Sequence, residues 1–251
     1  MTQAKLAASG LAPGTKVDLQ YLAVRDYLAN LIQARNIAAE GKLPSERQVE
    51  AAVGAARGTV RFALFQLEAE GLIYRRDRSG WYVSPPAVIY DPTRWDGFMS
   101  YVAAQGRTPA TETLDIRLLP ATEHLAAIFG VHLGDDLQFI RRLRRIDGRP
   151  VLVEQICVDP KLAPDLLEHC LDGSLTSILK RVYGISVARN KVQMRPCALV
   201  KAEAQELSAK SGTPGLSVIR TSYDALDRVV EYDEEYWRHD AIQVNVDISI
   251  S

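Results

Sequence analysis

Cysteine is scarce in this chain: Cys157, Cys170 and Cys197 are its only three, and none stands at a spacing that pairs metal ligands. Such an odd, scattered set excludes a disulfide framework or a zinc site and suits a reducing cytosol. No run of about 18 apolar residues occurs, which excludes a membrane-spanning helix. Met1 to Gly14 is small and polar, without the apolar stretch of a secretory signal, so a cytoplasmic protein is expected. HExxH, CxxC, P-loop and GxGxxG patterns are all missing. His124, His132, His169 and His239 are scattered, with no Ser or Cys pattern beside them to make a nucleophile. No catalytic residue, metal site or cofactor is therefore expected. Nor is positive charge in excess, since 30 Lys+Arg stand against 31 Asp+Glu. A protein that coats nucleic acid through bulk charge is excluded.

What is present reads as a folded protein, 47% hydrophobic and 24% charged over 251 residues. That length allows one large domain or two smaller ones. A break falls at Ser84–Trp95, where Pro85, Pro86 and Pro92 remove backbone donors and favour an extended linker. Met1 to Pro85 holds 11 Lys+Arg against 8 Asp+Glu, and the remainder holds 19 against 23. The near-neutral total thus hides a mildly basic front and an acidic back. The expected organisation is one domain at 1–84, a linker at 85–95 and a second domain at 96–251.

The front reads as three helices and a hairpin. Tyr21, Val24, Leu28, Leu31 and Ile32 recur at helical spacing. A second helix begins at Ser45, with Gln48 placed to complete a capping box, and Gly54 supplies the turn that ends it. A third starts near Arg57, carries Val60, Leu64 and Leu67 on one face, and stops at Gly71. Leu72–Arg76 and Gly80–Val83 make two short strands around the Asp77–Gly80 turn. Helix, glycine turn, helix and trailing hairpin is the winged helix-turn-helix layout. Arginines four apart on a helix are more often a solvated, carboxylate-paired face. Here Arg57 and Arg61 project near the start of the third helix, as guanine edges and phosphates in a major groove require. Thr59 and Arg47 suit phosphate oxygens, and the wing adds Arg75, Arg76 and Arg78, with Gly80 permitting close backbone approach.

Lys42-Leu43-Pro44-Ser45-Glu46-Arg47, Arg57-Gly58-Thr59-Val60-Arg61 and Leu67-Glu68-Ala69-Glu70-Gly71-Leu72-Ile73 together resemble the signature of GntR-type bacterial regulators. The resemblance spans about Tyr21 to Val83 and implies that Arg47, Arg57, Thr59, Arg61 and Gly80 contact operator DNA, to which the wing's charge adds Arg78. Ala56, Gly58 and Phe62 depart from the family pattern, so the operator sequence is not carried over.

Beyond Asp96 the pattern is that of an α+β domain. Leu137–Ile146 and Val151–Val158 are β-rich runs around Asp147-Gly148-Arg149-Pro150, a hairpin signal. Helices are expected at Leu162–Leu171, Leu175–Val182 and Lys201–Ser211, and strands at Leu216–Ala225, Val229–His239 and Gln243–Ile250. Within the hairpin, a three-residue loop sets Arg142 opposite Glu154, whereas a two-residue loop sets Arg141 there. Spacing alone favours a surface ladder of Arg and Glu. Glu231, Asp233 and Glu235 alternate on one strand face, which solvent explains as well as chemistry does, with Glu231 the first candidate for a role.

Phe139–Pro150 with Glu154, Gly173-Ser174-Leu175, Tyr183-Gly184-Ile185 and Glu231 through Asp240 resemble the UTRA effector domain of the HutC branch of GntR regulators. The resemblance implies a chorismate lyase-like antiparallel sheet with flanking helices. It also implies an effector site of Arg142, Arg144, Glu154, Ser174 and Glu231, with Trp237 where Tyr is usual and Thr176 departing from a common Tyr. The expected protein is a homodimeric regulator, a repressor, that binds operator DNA and a small anionic effector of phosphonate or sugar-phosphate type. Two other classes compete: an enzyme of chorismate lyase-like fold acting on a small organic acid, and a binding module that no longer reads DNA.

Overall fold

The computed structural model describes residues 16–34, 37–76, 79–94 and 96–248. In its N-terminal unit, α1 (Lys16–Gln33) packs Val24 and Leu28 into a core flanked by Tyr21, Leu31 and Ile32. The anticipated capping box opens α2 (Glu46–Val53): Ser45 Oγ accepts from the Gln48 amide, and Gln48 Oε1 accepts from the Ser45 amide at 2.9 Å. Gly54, at φ 68°, ends that helix in the left-handed conformation that favours glycine. The next helix, α3 (Arg57–Ala69), buries Val60, Ala63, Leu64 and Leu67. Its N-cap is Ala56, which has no side-chain hydrogen bond to offer. Strands β1 (Ile73–Arg76) and β2 (Gly80–Val83) pair antiparallel, and Trp81 and Val83 close the core.

After Ser84 the chain is extended, as its prolines require, yet it is not free. Strand β3 (Val88–Tyr90) pairs in parallel with β10 (Ile242–Val244), so the connection is held by the last strand of the chain. There follow α4 (Phe98–Ala104), β4 (Pro109–Pro120), α5 (Glu123–Phe129), β5 (Asp136–Ile146) and β6 (Arg149–Val158). Then come α6 (Leu175–Tyr183), β7 (Arg189–Ala198), α7 (Lys201–Glu206), β8 (Pro214–Tyr223) and β9 (Val229–Arg238). Six of these strands form one antiparallel sheet in the order β4-β5-β6-β9-β8-β7.

Three expected elements are corrected. Leu162–Leu171 is no α-helix: only a 3-10 turn, Leu166–Glu168, forms there. Pro164 lacks an amide to donate, and Asp165 at φ 58° turns the chain out of helical geometry. The Lys201–Ser211 helix is cut short at Glu206, with Ser208 at φ 51° just beyond. The final strand covers Ile242–Val244 rather than Gln243–Ile250, of which Ser249 and Ile250 lie outside the described residues.

Neither simple loop describes the β5–β6 hairpin. Ile146 faces Arg149 across a two-residue Asp147-Gly148 turn, and a β-bulge between Arg144 and Arg145 then shifts the ladder. The bulge restores the pairing of a three-residue loop, with Arg142 opposite Glu154 and Arg144 opposite Leu152.

The two units meet at the ends of β6 and β9. Asp240 accepts from Arg149, from Arg238 and from Ser84 Oγ at 3.0 Å. Both guanidinium groups lie over the wing residue Tyr74, at 4.0 and 5.4 Å from its ring centroid. His239 bridges the main-chain carbonyls of Pro214 and Glu68, the latter at the end of α3.

Replacing Ser45 by Ala removes a capping hydrogen bond and is expected to lower stability by about 1 kcal/mol, while Ala56→Ser adds one and raises it by about as much. Urea denaturation monitored at the tryptophans checks both. An unchanged midpoint in Ser45→Ala would show that the box contributes nothing.

Candidate functional site

Two surfaces carry the residues singled out from the sequence. On the N-terminal unit, Arg57 and Arg61 stand exposed on α3, opposite its buried face, and Thr59 is half-buried between them. Arg57 has a 74% exposed side chain and only a 3.6 Å contact with Glu46, an ion pair that solvent weakens. Arg47 is exposed on α2. Lys42, Ser45, Arg47, Arg57, Arg75 and Gly80 border one groove of about 550 Å³ between these helices and the wing. Gly80 sits at φ 104°, a conformation that a side chain would strain. The turn residue Arg78 lies outside the described residues. Phe62 also faces outward, resting edge-on against Tyr21.

The second surface is a cavity on one face of the sheet. Arg142, Arg144, Glu154, Ser174, Glu231 and Trp237 all border it, so the resemblance selected residues that the fold brings together. A surface ladder is ruled out by burial: Arg142, Arg144 and Glu154 are each 5% exposed or less. Arg142 Nε and Arg144 Nε converge on the same oxygen, Glu154 Oε1. The rest of Arg142 donates to the carbonyls of Leu171 and Gly173, and Arg144 donates to Thr111 Oγ1 at 2.6 Å. Burial alone pushes the Glu154 carboxyl up, but the two guanidinium groups outweigh it and hold the group below the usual range. Ser174 is the N-cap of α6, its Oγ accepting from the Ser177 amide.

Four further residues line the cavity: Arg220 and Tyr90, to which no role was given from the sequence, and Asp233 and Glu235, expected on a solvated strand face. Arg220 of β8 donates to Glu235 Oε1 at 2.7 Å and to Tyr90 Oη at 2.9 Å. Trp237 Nε1 donates to the other Glu235 oxygen at 2.6 Å. Asp233 is 3% exposed, and its Oδ1 meets no hydrogen-bond partner among the described residues. The expectation of a solvated β9 face with Glu231 as the exception is therefore reversed: Asp233 and Glu235 are buried, and Glu231 is the half-buried one. Burial, with Glu235 and Glu154 nearby, holds the Asp233 carboxyl well above its usual range, and burial likewise raises Glu231. Tyr90 belongs to β3, so the segment connecting the two units is itself part of the cavity wall. Arg220 stands opposite Asp233 only because a bulge at Ser222–Tyr223 shifts the ladder; counting back from the three-residue Leu226-Asp227-Arg228 turn sets Glu234 there instead. Tyr90 was legible only as part of the proline-rich linker.

Residues 20–83 match the model of the bacterial regulatory proteins of the gntR family, and residues 104–243 match the UTRA domain. The chain belongs to the GntR family. Its UTRA domain gives it the HutC-type architecture, with an antiparallel sheet and flanking helices in the C-terminal unit. This GntR regulator is 30% identical over 220 residues to the HTH-type transcriptional repressor NagR of Bacillus subtilis, covering 88% of this chain and 90% of that protein. It is 29% identical over 211 residues to the uncharacterized HTH-type transcriptional regulator YihL of Escherichia coli, covering 83% and 89% of the two chains. Among solved structures, PhnF from Mycobacterium smegmatis superposes with a TM-score of 0.65 at 26% identity, over 91% of this chain and all of that one. The protein is thus a transcriptional regulator with a DNA-binding helix-turn-helix and an effector domain, and not an enzyme.

Removing the charge of Glu154 while keeping its shape, in Glu154→Gln, leaves two buried cations without their shared anion and is expected to destabilise by about 3–5 kcal/mol. Asp233→Asn acts in the opposite direction. A carboxyl raised in the folded state loses stability as pH climbs past the unfolded value, so the variant should melt higher than the parent at pH 7. The gain should fade below about pH 4, where the unfolded chain is protonated too. Thermal melts at both pH values check the sign, and an equal gain at each would rule out ionisation as the cause.

Proposed function

We propose that this regulator is a repressor that binds a near-palindromic operator as a homodimer and releases it when a small anionic metabolite enters the C-terminal cavity. The observation that carries the reading is the placement of Arg142 and Arg144 side by side in a cavity walled by Tyr90 of the connecting segment. Paired guanidinium groups hold phosphate, phosphonate or carboxylate oxygens in charge-assisted bonds. In this reading residues 1–84 bind DNA, 85–95 connect, and 96–251 sense and dimerise. Arg142, Arg144 and Ser174 meet the anionic group, Glu154 draws the two arginines together and holds them in place, and Glu231 and Trp237 shape the remainder. On the N-terminal unit, Arg57 and Arg61 read bases, while Arg47, Thr59, Arg78 and the Gly80 backbone engage phosphates.

The cavity has only about 50 Å³ of open space, so a sugar phosphate or a phosphonate larger than a few atoms must displace part of its wall. The side made by Tyr90 and Gly97 is the one continuous with the connecting segment. Pushing it outward changes the geometry between the two units, and a shift of that kind weakens operator binding by a coupling of about 1–3 kcal/mol. A two-fold dimer would present two reading helices to half-sites about one helical turn apart or less. The name of the relative NagR as a repressor supports the sign of the response.

Arg57→Ala and Arg61→Ala are each expected to cost about 1–3 kcal/mol per half-site in a gel-shift titration on the operator. Wild-type affinity in both variants would remove α3 from the reading role. In the same assay Arg142→Ala should bind the operator normally and fail to release it at effector concentrations that free the parent. Normal release would take Arg142 out of the effector site.

A further inference from the structure

The charges around the cavity do not balance for a simple anion. Arg142 and Arg144 share one carboxylate, Glu154, and Arg220 is matched by Glu235. By direct ion pairs the two arginines thus share a single carboxylate, with Glu231 next nearest to Arg142. On the same wall Glu231 and Asp233 occupy alternate positions of β9, both bordering the cavity, and neither forms an ion pair among the described residues. Asp233 is the sharper case, since its Oδ1 is sealed from solvent and meets no donor. A buried acceptor without a donor costs free energy, and native folds keep few of them. An anion placed on the arginines would make this worse, by adding negative charge beside two carboxyl groups that burial already pushes up. A group that both donates hydrogen bonds and carries positive charge removes the conflict.

We propose that the effector is a small amino acid in the broad sense, an acid that also bears an amino group. Its anionic group meets Arg142 and Arg144, and its ammonium group sits between Glu231 and Asp233. The inference rests on the anion reading above and adds the second pole. Arg142 and the acids of β9 lie on strands separated by β6, which places the poles about two strand spacings apart, roughly 10 Å between backbones. Arginine and carboxylate side chains reach inward from either side, so a short carbon skeleton joins the two. A neutral sugar or a dicarboxylate satisfies only one end of this cavity. An ammonium held by two carboxyls also explains why buried acids stand where an anion-only site would carry hydroxyls or amides.

Isothermal titration calorimetry with matched pairs tests this: 2-aminoethylphosphonate against ethylphosphonate, glucosamine 6-phosphate against glucose 6-phosphate, and β-alanine against propionate. In the parent protein the aminated member of at least one pair should bind at least about tenfold more tightly, as charge-assisted bonds to buried carboxylates provide. Asp233→Asn and Glu231→Gln should each shrink the affinity ratio within that pair most of the way to one. Arg142→Ala should weaken both members of the pair. Failure of every aminated acid to bind, or equal affinity within every pair, overturns the proposal. So does an Asp233→Asn variant that weakens both members alike. An amine-free acid that binds through Arg142 and gains nothing from amination leaves the anion reading standing and the second pole refuted. Binding of a plain amine, unaffected by Arg142→Ala, refutes the anion reading instead.

Discussion

Two buried guanidinium groups converging on a single carboxylate oxygen constrain everything around them. Glu154 must face Arg142 across the β5–β6 ladder, and that pairing exists only because the bulge at Arg144–Arg145 adds a residue to a hairpin whose turn is otherwise too short. Slip the ladder by one position and Glu154 turns to the opposite face, where Val153 and Leu143 now pack with Leu199 and Leu207. Both faces of the sheet would then be wrong at once. The bulge is thus as much a part of the cavity as the side chains that line it.

The strands that bear these charges also reach the other unit. Arg149 begins β6, and Arg238 ends β9, so each strand carries cavity residues in its middle and Tyr74 contacts at its end. From Glu154 to Arg149 is five steps along one strand, about 17 Å. Burial lowers the Arg149 guanidinium from its ordinary value despite Asp240; two of its nitrogens have no hydrogen-bond partner among the described residues, and the group lies over the Tyr74 ring. A contact of this kind is firm but not saturated, which suits a junction between units more than the centre of a fold. The third link, from β3 to β10, fixes the connecting segment to the same body.

Legibility in the sequence followed burial. The central strands β5, β6, β8 and β9 announce themselves through apolar runs, and the hairpin turns between them are marked by Asp147-Gly148 and Leu226-Asp227-Arg228. The two strands that carried no clear signal, β4 and β7, are the two edges of the sheet. There Thr, Glu, Lys and Arg alternate with few apolar residues, and Pro196 interrupts β7, as edge strands tolerate and central ones do not. The expected helix at Leu162–Leu171 had the right apolar spacing, and the spacing is real: Ala163, Leu166 and Leu171 are buried against Ile140 and Ile156. A turn does the burying, because Pro164 and Asp165 do not hold helical geometry. The arginines and Glu154 were legible through family resemblance. The buried acids of β9 were not, since alternating carboxylates on a strand look the same whether they face water or a cavity.

Tyr90 occupies two structures at once, the strand that fastens the connecting segment and the wall against which an effector must fit. Affinity and responsiveness then draw on one finite interaction free energy. Work done in displacing that wall is subtracted from the strength of binding, so a cavity enlarged to hold its ligand more tightly would transmit less to the operator. Selection on such a protein acts on the division between the two, and a modest grip on the ligand is the natural companion of a strong release.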